Sequence, residues 1–291
     1  MPNPLIREQA KVTPPRFRSY AQNFEDILLW RALRHVTCGC YIDIGAHDPR
    51  CESVSRGFYE QGWRGVHFEP NPVIAQKIRQ DRPDEIVNEV ALSDKAGTLR
   101  FVVMALSGLS TGAAAYVDAY RRSGRVDEEL DVTTTTLSGA CASLVGQDVH
   151  WMKIDVEGME EQVLRGWEPR TLRPWIIVIE ATRPLSTEPS HEAWEPLLLD
   201  ADYRLMFFDG LNRFYVAAER PELMAAFSAP VNIHDLASGC DIDASNPFVA
   251  GAVDRSKKVI ARMQSSRSWR WTRPLRWLFA LLTGTDRTDE L

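Results

Sequence analysis

The sequence predicts an α/β protein whose core is a seven-stranded, mostly parallel sheet with an antiparallel last strand. Three observations predict it. Short β-rich runs alternate with helix-length segments along most of the chain. Two early runs, YIDIGAHDP (41–49) and GVHFEPNP (65–72), each reach an acid and then give way to turn residues. The last two runs, YRLMFF (203–208) and RFYVAAE (213–219), are joined through Asp209-Gly210, a hairpin signal that reverses the final strand.

In chain order, residues 23–34 read as a helix opened by Asn23 with Asp26 three positions on, its apolar Ile27, Leu28, Trp30 and Ala32 facing more than one side. Strands follow at 41–44 and 65–69, with a helix beginning near Ser53 between them and another at 72–80. EIVNEVALS (85–93) and TLRFVVM (98–104) read as strands separated by the turn Asp94 to Gly97. The stretch from about 105 to 135 is too long for a simple connection and is expected to be an insertion that acts as a lid. WMKID (151–155) and WIIVIE (175–180) complete the parallel set. The domain plan is an N-terminal arm and covering helix (1–40), a core (41–220) and a C-terminal extension (221–291).

In open parallel sheets ligands bind outside the carboxyl ends of the strands, so Asp43, Glu69, Ser93, Asp155, Glu180 and Asp209 are expected to face one crevice. Glu69 follows Gly45 at close to the spacing at which a βαβ unit sets a carboxylate against ribose hydroxyls. A dinucleotide turn needs three glycines to bring a pyrophosphate to a helix N-terminus, whereas here His47, Asp48 and Pro49 follow a single Gly45. S-adenosylmethionine has a ribose and no phosphate, and its cationic groups tolerate carboxylates, so this turn favours it over NAD. Asp155 and Glu157 also suit a plain helix start, and Glu180 a strand meeting water.

Several blocks resemble one family. YAQNFEDILLWRAL (20–33), YIDIGAHDP, SVSRGFYEQGWRGVHFEPNP (53–72), NEVALSDKAGTLRF (88–101), GLST (108–111), MKIDVEGMEEQVLRGW (152–167) and FFDGLNRFYVA (207–217) are similar, in order and spacing, to the FkbM-type class I methyltransferases. The resemblance spans roughly residues 18–220. His47 and Pro49 depart from it, since many members carry Asn and Gly there. It implies a Rossmann-like class I methyltransferase sandwich that binds S-adenosylmethionine. Tyr20 and Gln22 would then pack over the cofactor, joined by Asp43, Gly45, Ala46, His47, Glu69, Pro70, Asn71, Leu92 and Ser93. Ser110, Asp209, Asn212 and Arg213 are the candidates to meet the acceptor, although the last three are first of all typical turn residues, and Asp155, Glu157, Glu180 and His47 are the candidates to carry the chemistry, His47 also suiting a buried hydrogen-bonding role. A hydroxyl acceptor calls for a general base or a divalent ion such as Mg²⁺, for which Asp155 and Glu180 are the ligands; the sequence does not choose.

At 291 residues, 44% of them apolar, the chain can bury one sizeable core. The N-terminus lacks an apolar targeting core, so a cytoplasmic protein is expected, and its five cysteines, without metal spacing, are expected to be free thiols. Residues 255–276 hold eight Lys/Arg and no acid, within a chain of net charge −6. Trp269, Trp271 and Trp277 are set into this tract, and Leu275, Leu278, Phe279 and Leu282 share a helix face. That combination suggests peripheral binding at a membrane surface, the inner membrane of a bacterium, or docking on glycan-assembly enzymes, with docking on its own domain or on a second copy as the plainer alternative. SWRWTRPLR resembles a tail found on bacterial polysaccharide-assembly proteins, which points to a sugar, glycan or glycolipid acceptor. An acidic body argues against nucleic acid. A catalytically silent, cofactor-binding module that recruits glycan enzymes is the alternative; an NAD-dependent oxidoreductase fails on the missing glycines.

Overall fold

The computed structural model describes residues 17–104, 110–123, 126–184, 186–235 and 237–239. The described fold belongs to the unit Met1–Cys240. The basic tail and the first sixteen residues, like Gly108 and Leu109 of the GLST block, lie outside the described residues.

The chain opens with β1 (Arg18–Ser19) and α1 (Glu25–Leu33). Asn23 does not cap α1, contrary to expectation. The capping position falls to Phe24, in the left-handed region at φ 62°, with no side-chain cap. The cause is local: Asp26 turns back to accept from the Ser19 hydroxyl (2.7 Å) and the Tyr20 N–H (2.7 Å), and Glu25 accepts from the Asn23 N–H (2.9 Å). Then come β2 (Cys40–Ile44), α2 (Val54–Glu60), β3 (Arg64–Phe68), α3 (Pro72–Asp81) and β4 (Ile86–Asn88). Pro72 stands in the first turn of α3, and Asn71 caps it by accepting from the Val73 and Ile74 N–H groups.

The next segment corrects the sequence reading. Residues 85–93 do not form one strand. After Asn88 the chain leaves the main sheet, and β5 (Ala91–Leu92), β6 (Gly97–Val103) and β7 (Glu128–Thr135) make a separate three-stranded sheet in the order β5-β7-β6. The expected insertion therefore contains structure of its own, α4 (Ala114–Ser123) and β7. The chain continues through α5 (Leu137–Ala140), β8 (Trp151–Ile154), α6 (Glu160–Arg165), β9 (Ile176–Glu180), α7 (Glu195–Asp200), β10 (Tyr203–Phe208), β11 (Asn212–Ala217), α8 (Pro221–Met224) and β12 (Ser238–Gly239), which pairs with β1.

The main sheet has seven strands in the order β10-β11-β9-β8-β2-β3-β4. β11 runs antiparallel to both β9 and β10, and the others run one way, as the Asp209-Gly210 hairpin predicts. Strand alternation sorts the core into two layers. Tyr41, Trp151, Ile176, Val178, Phe214 and Val216 pack on one face with α1, α2 and α8. Ile42, Ile44, Met152, Ile154, Ile177 and Ile179 pack on the other with α5, α6 and α7. Residues 176–179 are fully buried (0% exposed), which is why β9 reads as an unbroken apolar run; each such side chain contributes about 1.5–3 kcal/mol. No disulfide joins the described cysteines, and no described helix is long and apolar enough to cross a membrane.

Candidate active site

Strand register brings the chemistry-bearing residues to one layer. Asp43 pairs with His67 and with Lys153, and Glu180 pairs with Asn212. Continuing the two-residue alternation puts Gly45, Glu69, Asp155, Glu180 and Asn212 one step higher on the α1 face, at the carboxyl edge. β2 leads towards β3 on one side while β8 leads towards β9 on the other, so the strand order reverses between Gly45 and Asp155. There the two loops nearly touch: the Asp155 N–H donates to the Ile44 carbonyl (3.0 Å), and a Cβ on Gly45, at φ +78°, would lie 1.7 Å from the Asp155 carbonyl oxygen. Only glycine fits at position 45.

On the β3 side, Glu69 is 6% exposed and accepts from the His47 N–H (3.1 Å) and the Asn71 N–H (2.8 Å). Burial pushes its carboxyl up to about 7 against those two bonds. Its own N–H donates to the Asn88 carbonyl (3.0 Å), so the residue ending the neighbouring strand is Asn88, where Ser93 was expected. Asp43 is buried and accepts from the Ser55 hydroxyl (2.6 Å). His47 sits at φ 48°, and burial lowers its pKa, with Asp48, Glu52 and Asp155 opposing. The loop after Gly45 is tied down by Arg82, 1% exposed, which donates to the Pro49 carbonyl (2.6 Å), Ser53 (2.9 Å) and Ser55 (2.7 Å).

On the β8–β9 side, Asp155, Glu157 and Glu180 each bring a carboxylate oxygen within 4.8 Å of the others. Burial, then Asp155 and Glu160, raises the Glu157 pKa; burial, then Asp155 and Glu157, raises that of Glu180. Lys153 stands beneath, its Nζ 2.6 Å from Asp155 Oδ2. Burial works against its charge, but Asp155, Asp43 and Glu25 outweigh burial and hold the ammonium above its ordinary pKa. Glu157 adopts φ 53° and Gly158 φ +98°. Glu160 holds this turn by accepting from the Val156 (3.3 Å) and Gly158 (3.1 Å) N–H groups, and Thr111, fully buried, donates to the Glu157 carbonyl (2.7 Å). The Tyr116 ring of α4 covers Gly158, where a Cβ would come within 2.4 Å of it. The structure thus brings Gly45, Ala46, His47, Glu69, Pro70, Asp155, Glu157 and Glu180 to the carboxyl edge of the sheet beside the reversal, with Asp43 one step below.

Other expected residues are engaged elsewhere. Leu92 belongs to β5 of the second sheet and is 3% exposed in the core, and Ser93 follows it directly, its N–H donating to the Thr135 carbonyl (2.9 Å). The Tyr20 hydroxyl donates to Glu60 on α2 (2.8 Å), under the guanidiniums of Arg18 and Arg56, and Gln22 is exposed. Asn71 spends its side-chain oxygen on capping α3. The Ser110 hydroxyl accepts from the Met104 N–H (3.0 Å), leaving its neighbour Thr111 to meet the acid loop. Asp209 closes its own hairpin, accepting from the Leu211 (2.8 Å) and Asn212 (2.6 Å) N–H groups. Alternation sends Asn212 and Arg213 to opposite faces: Asn212 donates to Glu25 (2.9 Å), whereas Arg213 pairs with Glu195 of α7 (2.5 Å). The predicted N-cap alternative for Asp155 also fails, since α6 begins only at Glu160.

Sequence reasoning missed Lys153, Glu25, Asn88, Thr111 and Tyr116. Lys153 was legible, because a residue two before Asp155 in a strand shares its face. Thr111 and Tyr116 carried no local signal. A cavity of about 780 Å³ lined by Trp167, Arg173, Leu197 and Asp202 shares no residue with this edge, and its Arg173 is committed to Glu219.

The family described as "Methyltransferase FkbM domain" matches residues 43–205, more than half of the 291. The match takes in the Gly45 turn, Glu69 and all three clustered acids. No curated protein matches the chain.

Proposed function

We propose that this chain, which belongs to the FkbM methyltransferase family, is an S-adenosylmethionine-dependent O-methyltransferase acting on a sugar hydroxyl in bacterial surface-polysaccharide or glycolipid assembly. The observation that carries the reading is the reversal of strand order between Gly45 and Asp155, with Glu69 on one side and the three acids on the other. The donor set suits the cofactor. Glu69 keeps lone pairs for ribose hydroxyls beyond the two it gives to backbone N–H groups, Asn88 stands beside it, and the carboxylates suit a sulfonium where they would repel a pyrophosphate.

Bound S-adenosylmethionine supplies an electrophilic methyl group. The protein's share is to hold the acceptor oxygen in line with it and away from water, which can provide much of the rate. The Thr111–Tyr116 segment covers the acid loop and so excludes solvent there. Asp155, fixed by Lys153, and His47, its imidazole biased to the neutral form by burial, are the groups suited to take the acceptor proton. Asn212 braces α1 against the same edge through Glu25.

The glycan acceptor is supported by the basic, tryptophan-bearing tail, which suits an anionic cytoplasmic membrane face where such polymers are assembled on lipid. The test is methyl transfer from radiolabelled cofactor to bacterial glycan extracts, with S-adenosylhomocysteine binding measured alongside by calorimetry. Label in a base-stable ether linkage on sugar is expected; cofactor binding with label only on protein, lipid or nucleic acid would overturn the sugar assignment, and absence of binding would overturn the whole reading.

A further inference from the structure

We propose that Asp155, Glu157 and Glu180 together form a binding site for one divalent hard cation of the Mg²⁺ or Mn²⁺ kind. The first observation is the convergence of three carboxylate oxygens within 4.8 Å of one another, from the end of β8, the turn after it and the end of β9. Opposite ligands of a Mg²⁺ ion are about 4.1 Å apart and those of Ca²⁺ about 4.9 Å. Three oxygens no more than 4.8 Å apart are close enough to share one such ion once small rotations of the two glutamates draw them together.

The second observation is independent of that clustering. Glu157 and Glu180 are each 9% exposed, and Oε2 of each is buried without a hydrogen-bond partner. Among the described residues these are the only buried carboxylate oxygens so left. The other buried acids nearby are furnished: Asp26 by Ser19 and two backbone N–H groups, Glu69 by two backbone N–H groups, Glu85 by Tyr41, Gly65 and His67. A fold that satisfies its buried carboxylates elsewhere leaves two bare where they face a third, which is the pattern of a ligand set and not of a packed core.

Charge gives the valence. Three carboxylates meet with one ammonium, Lys153, which is held on Asp155 and already shared with Asp43 and Glu25, so a multiply charged cation relieves the repulsion that a single charge would leave. The donors are all oxygen, with no thiolate, which selects hard cations over zinc. The role of this ion in turnover rests on the methyl-transfer reading, where it would lower the pKa of an acceptor hydroxyl brought to it and, with Asp155 engaged as a ligand, leave His47 to take the proton. Its binding does not rest on that reading.

The experiment titrates chelator-treated full-length protein with Mn²⁺ alone, following free Mn²⁺ by electron paramagnetic resonance. One equivalent is expected to bind with a Kd on the order of 1 mM or tighter. Glu180→Gln and Glu157→Gln should each weaken it tenfold or more while S-adenosylhomocysteine binding, read by calorimetry, is retained. The second variant lies on a loop and keeps the test alive should the strand variant not fold. Failure of the wild type to bind Mn²⁺ saturably, or equal affinity in the folded variants, overturns the site. Mn²⁺ binding without S-adenosylhomocysteine binding leaves the cation site standing and removes the methyl-transfer reading instead.

Discussion

Arg82→Met should show that the loop after Gly45 is held from beneath. The guanidinium is 1% exposed and donates to Pro49, Ser53 and Ser55, with Glu85 Oε2 3.6 Å away. Removing one partner of a buried ion pair costs about 3–5 kcal/mol. The lower end applies here, because Glu85 keeps the Tyr41 hydroxyl (2.5 Å), the Gly65 N–H (2.7 Å) and His67 (2.7 Å). A loss of about 3 kcal/mol should lower the thermal midpoint by about 6–12 °C. Urea unfolding measures the loss, and calorimetry should show weaker S-adenosylhomocysteine binding, because the Pro49 carbonyl and Ser53 lose their anchor. Arg82→Lys keeps the charge but a single ammonium cannot span the three acceptors, so it should recover less than half of the loss. Arg82→Met within 1 kcal/mol of wild type, with unchanged affinity, would refute the reasoning.

Glu69→Ala should lose about 1.5–3 kcal/mol of cofactor affinity, the range for hydrogen bonds to a charged group, and calorimetry showing wild-type affinity would remove Glu69 from the ribose site. Asp155→Asn should fold and bind S-adenosylhomocysteine yet turn over slowly; a wild-type rate would make Asp155 structural. Stability should fall between pH 6 and pH 8, because burial pushes Asp26, Glu69 and Glu160 up to about 7, so the folded chain keeps protons that the unfolded chain has released from about pH 4, and loses that advantage as pH rises to about 7. A urea midpoint that rises over this window contradicts it; burial lowers the pKa of His47 and His150, which acts the other way but mostly below pH 6.5. Full-length protein should sediment with anionic liposomes, less so as salt rises, and truncation after Ser265 should abolish this; full-length protein staying in the supernatant at low salt ends the membrane proposal.

What the sequence disclosed was whatever local backbone physics dictates. Gly45 could be picked out because an apolar strand stops there, and Asp209-Gly210 because a hairpin needs those residue types; both stand where expected. What it hid depended on tertiary competition. EIVNEVALS reads as one β-rich run, yet the Asn88-Glu89 pair marks the point where the main sheet ends and the second begins, which moved the strand end from Ser93 to Asn88. Asn23 is a good capping residue, but the buried Asp26 carboxylate gathers Ser19, Tyr20 and Ala21 and bends the chain so that Phe24 takes that place. Between Ser110 and Thr111 nothing local discriminates; only the approach of residues 156–158 does.

The alternation within the strands also explains why the polar residues gather on one face alone. On the α1 face the character changes along each strand: Tyr41 gives way to Asp43, Trp151 to Lys153 and then Asp155, and Val178 to Glu180, while Asn212 precedes Phe214 on the reversed strand. On the opposite face Ile42 and Ile44, Met152 and Ile154, and Ile177 and Ile179 stay apolar to the carboxyl edge. The sheet is therefore apolar throughout on the α5–α7 side and turns polar on the other only towards its carboxyl edge, from Asp43, Lys153 and Glu180 onwards. Left-handed backbone outside glycine is found beside the same edge at His47 and Glu157, at Phe24 before α1 and at Glu52 in the loop after Gly45, and also away from it at Asp202; each costs on the order of 1 kcal/mol or more and persists because neighbouring contacts hold it. Buried polar side chains and left-handed backbone thus occur together beside the Gly45–Asp155 reversal, whereas the cavity by Trp167 has only the latter, at Asp202, which makes the reversal the place to test for chemistry.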